Sequence, residues 1–293
     1  MGEFDIFYGK NIENPRGVIQ IIHGMGEHCA RYENLAIFFE KKGYIVLGRN
    51  LKWHGRIAKH NDELGLCNGD FLEIVKEQID ISDEIKRLYP NLDKYILGHS
   101  MGSFVAQQCL KSNYEGIKGY IIQGSSYKQP LLWKFGEKLT NVLFKINGNV
   151  PNEFFKKIIF FGNNSKYLKE KDKFSWLTRD KDSRDKFKSD KLCDFNYSMK
   201  FYKEFFLFLN KLYIEQSFNE IPREMNLLIS AGYDDPIGAY GSSIKKLYEF
   251  YKKIGFKNVD LNIIPEFRHE LHNEIDREKY FEYLYEWLEK TKI

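Results

Sequence analysis

The chain has 293 residues, of which 43% are hydrophobic and 29% charged, with a formal net charge of +4. That length suits one large domain with an insertion, or two ordinary domains, and a core of this size needs no staples. The mild charge, with no basic-plus-aromatic stacking motif, argues against a nucleic-acid partner, and no apolar run approaches the length of a membrane span.

Residues 1–5 show no basic segment followed by an apolar one, so no signal peptide is expected, and Ile6 spoils a myristoylation motif. Four cysteines (Cys29, Cys67, Cys109 and Cys193) are scattered without a Cys-x-x-Cys pair. This spacing carries neither a zinc nor a disulfide signature and predicts reduced thiols in a cytoplasmic protein.

In chain order, residues 17–22 (Gly-Val-Ile-Gln-Ile-Ile) read as a buried strand. It runs into His23-Gly24-Met25-Gly26-Glu27-His28. A glycine turn at the end of an early strand can aim a backbone N–H, here that of Met25, at a developing oxyanion. The alternative, a phosphate loop, lacks the Lys-Ser/Thr of a P-loop and the three-glycine spacing of a dinucleotide fold. A second strand is expected at 44–47, then an amphipathic helix at 71–88.

The most telling segment follows, Tyr95-Ile96-Leu97-Gly98-His99-Ser100-Met101-Gly102-Ser103-Phe104-Val105. A short apolar run enters a Gly-x-Ser-x-Gly pentapeptide, and a helical pattern over 101–110 leaves it. That context predicts a nucleophile elbow. The strand-to-helix turn is so tight that the residues two before and two after the serine must be nearly side-chain-free. Ser100 would stand proud of the sheet, and the N–H of Met101, at the start of the helix, would face the reacting oxygen.

A strand at 119–124 comes next, and then the strand–helix rhythm stops. Residues 127–219 are aromatic, basic and helix-like, with 19 Lys and Arg against 11 Asp and Glu. The excess of 8 leaves the rest of the chain at −4. Biased composition explains much of the lysine; the sharper reading is attraction to an anionic lipid surface or head group. The rhythm returns with a strand at 226–230, followed by Ala231-Gly232-Tyr233-Asp234-Asp235-Pro236. The strand at 259–264 is followed by Pro265-Glu266-Phe267-Arg268-His269-Glu270. An acid and a histidine thus lie just past strand carboxyl ends, where open α/β sheets build their sites.

These pieces give a serine–acid–histidine order: Ser100 as nucleophile, His269 as its base, Asp235 as the imidazole's partner. The Gly-x-x-Asp-Pro spacing favours Asp235 over Asp234, which becomes a solvated or turn-capping acid. His269, closer to its strand, is favoured over His272, which is expected at the surface or behind the site. Met25 and Met101 would supply the oxyanion donors. The architecture that follows is a mostly parallel central sheet flanked by helices. Residues 1–126 and 220–293 would form the core, and 127–219 an inserted helical cap.

His23 to Tyr32, Gly98 to Gly102 and His269-Glu270-Leu271 resemble the monoacylglycerol lipase and lysophospholipase branch of the α/β-hydrolases. Trp176-Leu177-Thr178-Arg179-Asp180 and Asp190-Lys191-Leu192-Cys193-Asp194-Phe195 are similar to the cap of bacterial members. The resemblance implies an α/β-hydrolase fold and a serine esterase or lipase on acylglycerols or lysophospholipids, with no cofactor and no metal. It also implies the same triad and the same oxyanion donors. One loop departs from the pattern: where relatives carry Asp and then Arg-Gly-His-Gly, this chain has Asn50-Leu51-Lys52-Trp53-His54-Gly55. His28 and His54 are therefore read as hydrogen-bonders that brace loops rather than as ligands. Two alternatives share the fold: a proline-type aminopeptidase, disfavoured by the cationic cap, and a binding protein that has lost turnover. The sequence gives no oligomeric state.

Overall fold

The computed structural model describes residues 3–292. Met1 and Gly2, on which part of the leader expectation rests, lie outside the described residues.

Among the described residues, seven strands form one sheet: β1 Ile6–Tyr8, β2 Gly17–Ile22, β3 Tyr44–Gly48, β4 Lys94–His99, β5 Gly119–Gln123, β6 Asn226–Gly232 and β7 Val259–Ile264. Their spatial order is β1-β3-β2-β4-β5-β6-β7, and every pairing is parallel except that of β1 with β3. The helices are α1 Glu33–Lys41, α2 Gly55–His60, α3 Leu72–Leu88, α4 Met101–Ser112, α5 Pro130–Asn147, α6 Glu153–Ile159, α7 Lys181–Ser189, α8 Met199–Leu212, α9 Ser242–Lys253 and α10 Arg277–Thr291. The expected elements fall within a residue or two of these bounds.

Strand side chains alternate faces, so each central strand feeds two cores. Ile96 of β4, Tyr120 and Ile122 of β5, and Leu227 and Ile229 of β6 join a large cluster with residues of α3, α4, α8 and α9. Tyr95, Leu97, Ile121 and Leu228 point the other way, onto Phe39 of α1 and Phe281 and Trp287 of α10. Continuous burial along β2 to β5 is what a parallel sheet covered on both faces requires.

Between β5 and β6 stand α5 to α8 and two 3-10 turns, Ser165–Glu170 and Glu215–Phe218. α8 carries Phe201, Phe205 and Phe208 at helical spacing, and Phe71 meets all three rings at 4.8–5.8 Å. The stripe therefore packs this segment onto the core. No helix among the described residues is long and apolar enough to cross a membrane.

Candidate active site

The elbow is built as its glycines demand. β4 ends at His99, Ser100 sits at φ 52° and ψ −120°, and α4 starts at Met101. That positive φ is a strained conformation for a residue with a side chain. A Cβ added at Gly98 would lie 2.7 Å from the Ala106 Cβ, and one at Gly102 would run into the carbonyls of Ile22 and His23. Helix and strand approach too closely for any side chain there. The Ser100 N–H donates to the Gln123 carbonyl at 2.9 Å, tying the turn to β5.

The three expected residues meet. His269 Nε2 lies 2.9 Å from Ser100 Oγ, and His269 Nδ1 lies 2.9 Å from Asp235 Oδ2. A carboxylate only accepts, so Nδ1 carries the imidazole proton and Nε2 accepts from the serine hydroxyl. Asp235 is fully buried, and its other oxygen, Oδ1, accepts from the Ile237 N–H at 2.8 Å, which fixes the carboxylate plane. Burial works against a charged His269, but Asp235 outweighs it and raises the imidazole above its ordinary value. Asp234 is partly exposed and offers its backbone carbonyl to the Tyr167 hydroxyl.

Of the two places expected for His272, the surface or behind the site, the structure shows the second. The ring is buried, stacks on Tyr32 at 4.1 Å, and its Nδ1 accepts from Gln123 Nε2 at 2.8 Å. The same amide reaches His99 Nδ1 at 3.1 Å, and Tyr280 donates to Gln123 Oε1 at 2.9 Å. Burial holds both histidines well below the ordinary imidazole range, His272 at about 3. They form a neutral bed under His269, whose ring lies 4.7 Å from that of His99. Spacing alone could not place His272 there, because a three-residue 3-10 turn, Leu271–Asn273, carries it inward.

The loop after β2 is held at each residue around Met25. His23 Nδ1 donates to the Gly24 carbonyl at 2.8 Å, and its Nε2 accepts from the Leu51 N–H at 2.9 Å. The Gly24 N–H donates to Glu27 Oε1, and the Gly26 N–H to the Tyr197 hydroxyl, both at 2.5 Å. Tyr197 in turn donates to His54 Nε2 at 2.6 Å, so His54 braces the loop. Among the described residues, the Met25 and Met101 amides donate to no loop carbonyl or side chain. Met25 and Ser100 line the same cavity. In the divergent loop, Asn50 Oδ1 accepts from the Cys29 N–H at 2.8 Å, and Trp53 is buried against Phe201.

One network was not foreseen. Arg31, its side chain 10% exposed, forms two hydrogen bonds of 2.6 Å to Glu270 and one of 2.8 Å to Glu27. It joins the loop after β2 to the loop that carries His269. The signal was an acid and a base four apart, Glu27 and Arg31, beside a glycine turn. Arg268 repeats the pattern with Glu170 of the 127–219 segment. Backbone bonds from His269 to Trp176 (3.4 Å) and from Glu270 to Leu177 (2.7 Å) seat the same joint.

Ser100 opens into a cavity of about 710 Å³. Phe160, Phe174, Trp176, Leu177, Phe187 and Phe195 supply much of its wall, all from the 127–219 segment. Trp176 lies 5.1 Å from the His269 ring. A strained serine, a neutral base and a buried acid, facing an apolar cavity, can carry out acyl transfer.

This sheet, with the serine at the sharp turn after β4, defines an α/β-hydrolase. The chain belongs to the family described as "Serine aminopeptidase, S33", which matches residues 13–276. It is 34% identical over 99 residues to a monoglyceride lipase homolog of Monkeypox virus, which covers 34% of each chain. Over 99 residues it is 30% identical to the monoglyceride lipase of Mus musculus, covering 34% of this chain and 31% of the other. These matches span about a third of the length of the curated relatives. A carboxyl esterase from Bacillus coagulans, solved with glycerol, superposes with a TM-score of 0.88 at 23% identity, covering 96% of this chain and 92% of that one. A monoglyceride lipase variant from Saccharomyces cerevisiae, solved with a substrate analog, gives 0.75 at 19% identity, over 98% and 91%.

Proposed function

We propose that the chain is a serine carboxylic ester hydrolase that acts through an acyl-enzyme on single-chain acyl esters, monoacylglycerols or lysophospholipids. The observation that carries this reading is the hydrogen-bonded line Ser100–His269–Asp235 at the floor of a cavity walled by aromatic and aliphatic side chains. Ser100 Oγ attacks the ester carbonyl while its proton passes to His269 Nε2. The amides of Met25 and Met101 receive the oxyanion. Collapse of the tetrahedral intermediate expels the alcohol, protonated by His269. A water then loses its proton to His269, attacks the acyl-enzyme and frees the acid.

Residues 127–219 act as the cap of this site. Their aromatic wall takes the acyl chain, each buried methylene contributing about 0.8 kcal/mol. The same segment exposes Leu131, Phe135, Ile146, Phe154, Phe161 and Leu168. Among the described residues, Lys134, Lys138 and Lys145 of α5 lie in no ion pair. Exposed apolar side chains among unpaired lysines suit peripheral contact with an anionic lipid surface. The matches to monoglyceride lipases support the substrate class.

The family's description also raises an aminopeptidase. That activity needs a free carboxylate to grip the substrate ammonium. The carboxylates lining the cavity are all engaged: Glu27 and Glu270 by Arg31, Asp194 by Lys156 and Lys173, Glu153 by Lys157. Fluorophosphonate labelling, followed by kcat/KM for acetyl to palmitoyl esters and for proline amides, tests the reading. Labelling at Ser100 and a rate that climbs with chain length until the cavity fills are expected. Better turnover of proline amides than of any ester overturns the ester reading.

A further inference from the structure

The loop after β2 and the 127–219 segment meet at three side chains with no part in the chemistry above. His28 Nε2, Asp190 Oδ2 and the Cys193 thiol lie within 4.8 Å of one another. His28 closes the His23–His28 turn, and the two other donors come from the stretch after α7. Such a set has no sequence signature, because His28 and Asp190 are 162 residues apart.

We propose that His28, Asp190 and Cys193 form a binding site for a soft divalent cation, zinc by its ligand chemistry, that staples the cap segment to the oxyanion loop. Imidazole, carboxylate and thiolate are the three zinc donor types, and thiolate with imidazole disfavours magnesium and calcium. Tetrahedral bonds of about 2.0–2.3 Å place donors roughly 3.3–3.8 Å apart. His28 Nε2 and Asp190 Oδ2 are 2.8 Å apart as a hydrogen-bonded pair. Side-chain rotations that part the imidazole and carboxylate by about 0.5 Å and bring the thiol in by up to about 1 Å would admit the ion in place of the shared proton. Asp190 is already oriented: its Oδ1 accepts from the Leu192 N–H at 2.8 Å, which leaves Oδ2 for the ion. The turn that makes this bond also brings the Cys193 N–H onto the Asp190 carbonyl at 3.0 Å, so Asp-x-x-Cys presents both donors from one rigid corner.

Access and charge agree. The Asp190 side chain is 35% exposed, which gives a route for the ion and a place for a water as fourth ligand. On binding, the proton between His28 and Asp190 leaves Nε2 for Nδ1 or solvent, the Cys193 thiol gives its proton to solvent, and the imidazole, carboxylate and thiolate bond the metal. Arg31 stands nearby, but Glu27 and Glu270 already offset its charge. The neighbouring contacts, Asp194 N–H to the Gly26 carbonyl and Gly26 N–H to Tyr197, join the same two strands of chain that the ion would link. The ion therefore adds a bond to a seam already formed, three residues from Met25.

The test is cobalt substitution in the full chain after chelator treatment. Cobalt(II) should give a thiolate-to-metal charge-transfer band and the intense visible bands of a tetrahedral site. Both should disappear in Cys193→Ser and weaken at least tenfold in apparent affinity in His28→Gln. Zinc should raise the melting temperature of the unaltered chain and leave Cys193→Ser unmoved. Absence of the charge-transfer band in the unaltered chain overturns the site, as does a band that survives in Cys193→Ser. Should Cys193→Ser fail to fold, undiminished cobalt binding by His28→Gln overturns it equally.

Discussion

At the scale of the residue, everything turns on which atom holds which proton. The Asp235 carboxylate fixes the His269 proton on Nδ1 and so leaves Nε2 to accept from the Ser100 hydroxyl, the arrangement the proposed mechanism needs. Ser100→Ala should therefore abolish ester turnover and fluorophosphonate labelling while thermal melting stays within a few degrees. Adding His269→Ala should cost little more, because members of such a unit do not act additively; multiplying losses in the double variant contradict the assignment. Asp235→Asn should lower kcat by about 10⁴-fold, the scale seen when a triad acid is neutralised in serine proteases. Asp234→Asn, at a partly exposed side chain, should cost far less. The pH profile gives an independent reading. Only neutral His269 is a base, and Asp235 raises its value above 6.5. The acid limb of kcat/KM should thus inflect above 6.5, and in Asp235→Asn it should move down, since burial is then opposed only by the weaker pull of Glu270 and Glu27. An unmoved limb would assign the base to another group. Ser100, Asp235 and His269 were legible because each follows a strand end in a fixed order. For His272 the choice between surface and interior was not, because its inward turn depends on Tyr32 and Gln123, far away in sequence.

At the scale of the element, the loops matter more than the helices they join. β4 and α4 were readable since Gly98 and Gly102 permit one strand-to-helix turn and little else. β1 was not: three residues hold too little alternation to be seen, and only pairing with β3 makes Ile6–Tyr8 a strand. The Arg31 network was equally hidden, because Glu270 enters it from across the sheet. Burial pushes the Glu270 carboxyl up, but Arg31 outweighs it and holds it at about 2. Arg31→Met would leave two buried carboxylates facing each other without a counter-charge. The loss should be about 3–5 kcal/mol, as for breaking other buried pairs. Urea denaturation measures it. A variant as stable as the parent would show that the network is held by its backbone bonds alone.

At the scale of the whole molecule, two large-area properties follow from where charge and apolar surface lie. Four histidines (His23, His54, His99 and His272) are kept neutral by burial, His54 at about 4 and His272 at about 3. Their folded values lie below 6.5, so as pH falls the unfolded chain takes up protons first. The stability they preserve is full above about pH 6.5 and is lost as pH drops toward 4 and 3. His269 has the opposite sign, since its raised value favours the folded state below 6.5, but it is one group against four. A melting temperature that falls steeply between pH 6.5 and 4 is expected; a flat curve would mean that water reaches these rings. The second property concerns the outer side of residues 127–219. If that surface meets lipid, sedimentation with anionic vesicles should capture the chain at low salt and release much of it as ionic strength rises, because screening shortens the reach of the lysines to about 10 Å at 0.1 M. Leu131 is 86% exposed and Phe135 62%, and neither lines the cavity. Leu131→Glu with Phe135→Glu should therefore weaken vesicle binding and slow hydrolysis of vesicle-borne substrate, while kcat/KM on a short soluble ester stays unchanged. Vesicle binding that survives both changes would place the lipid contact elsewhere, and equal losses on both substrates would mean that α5 supports the site rather than the surface.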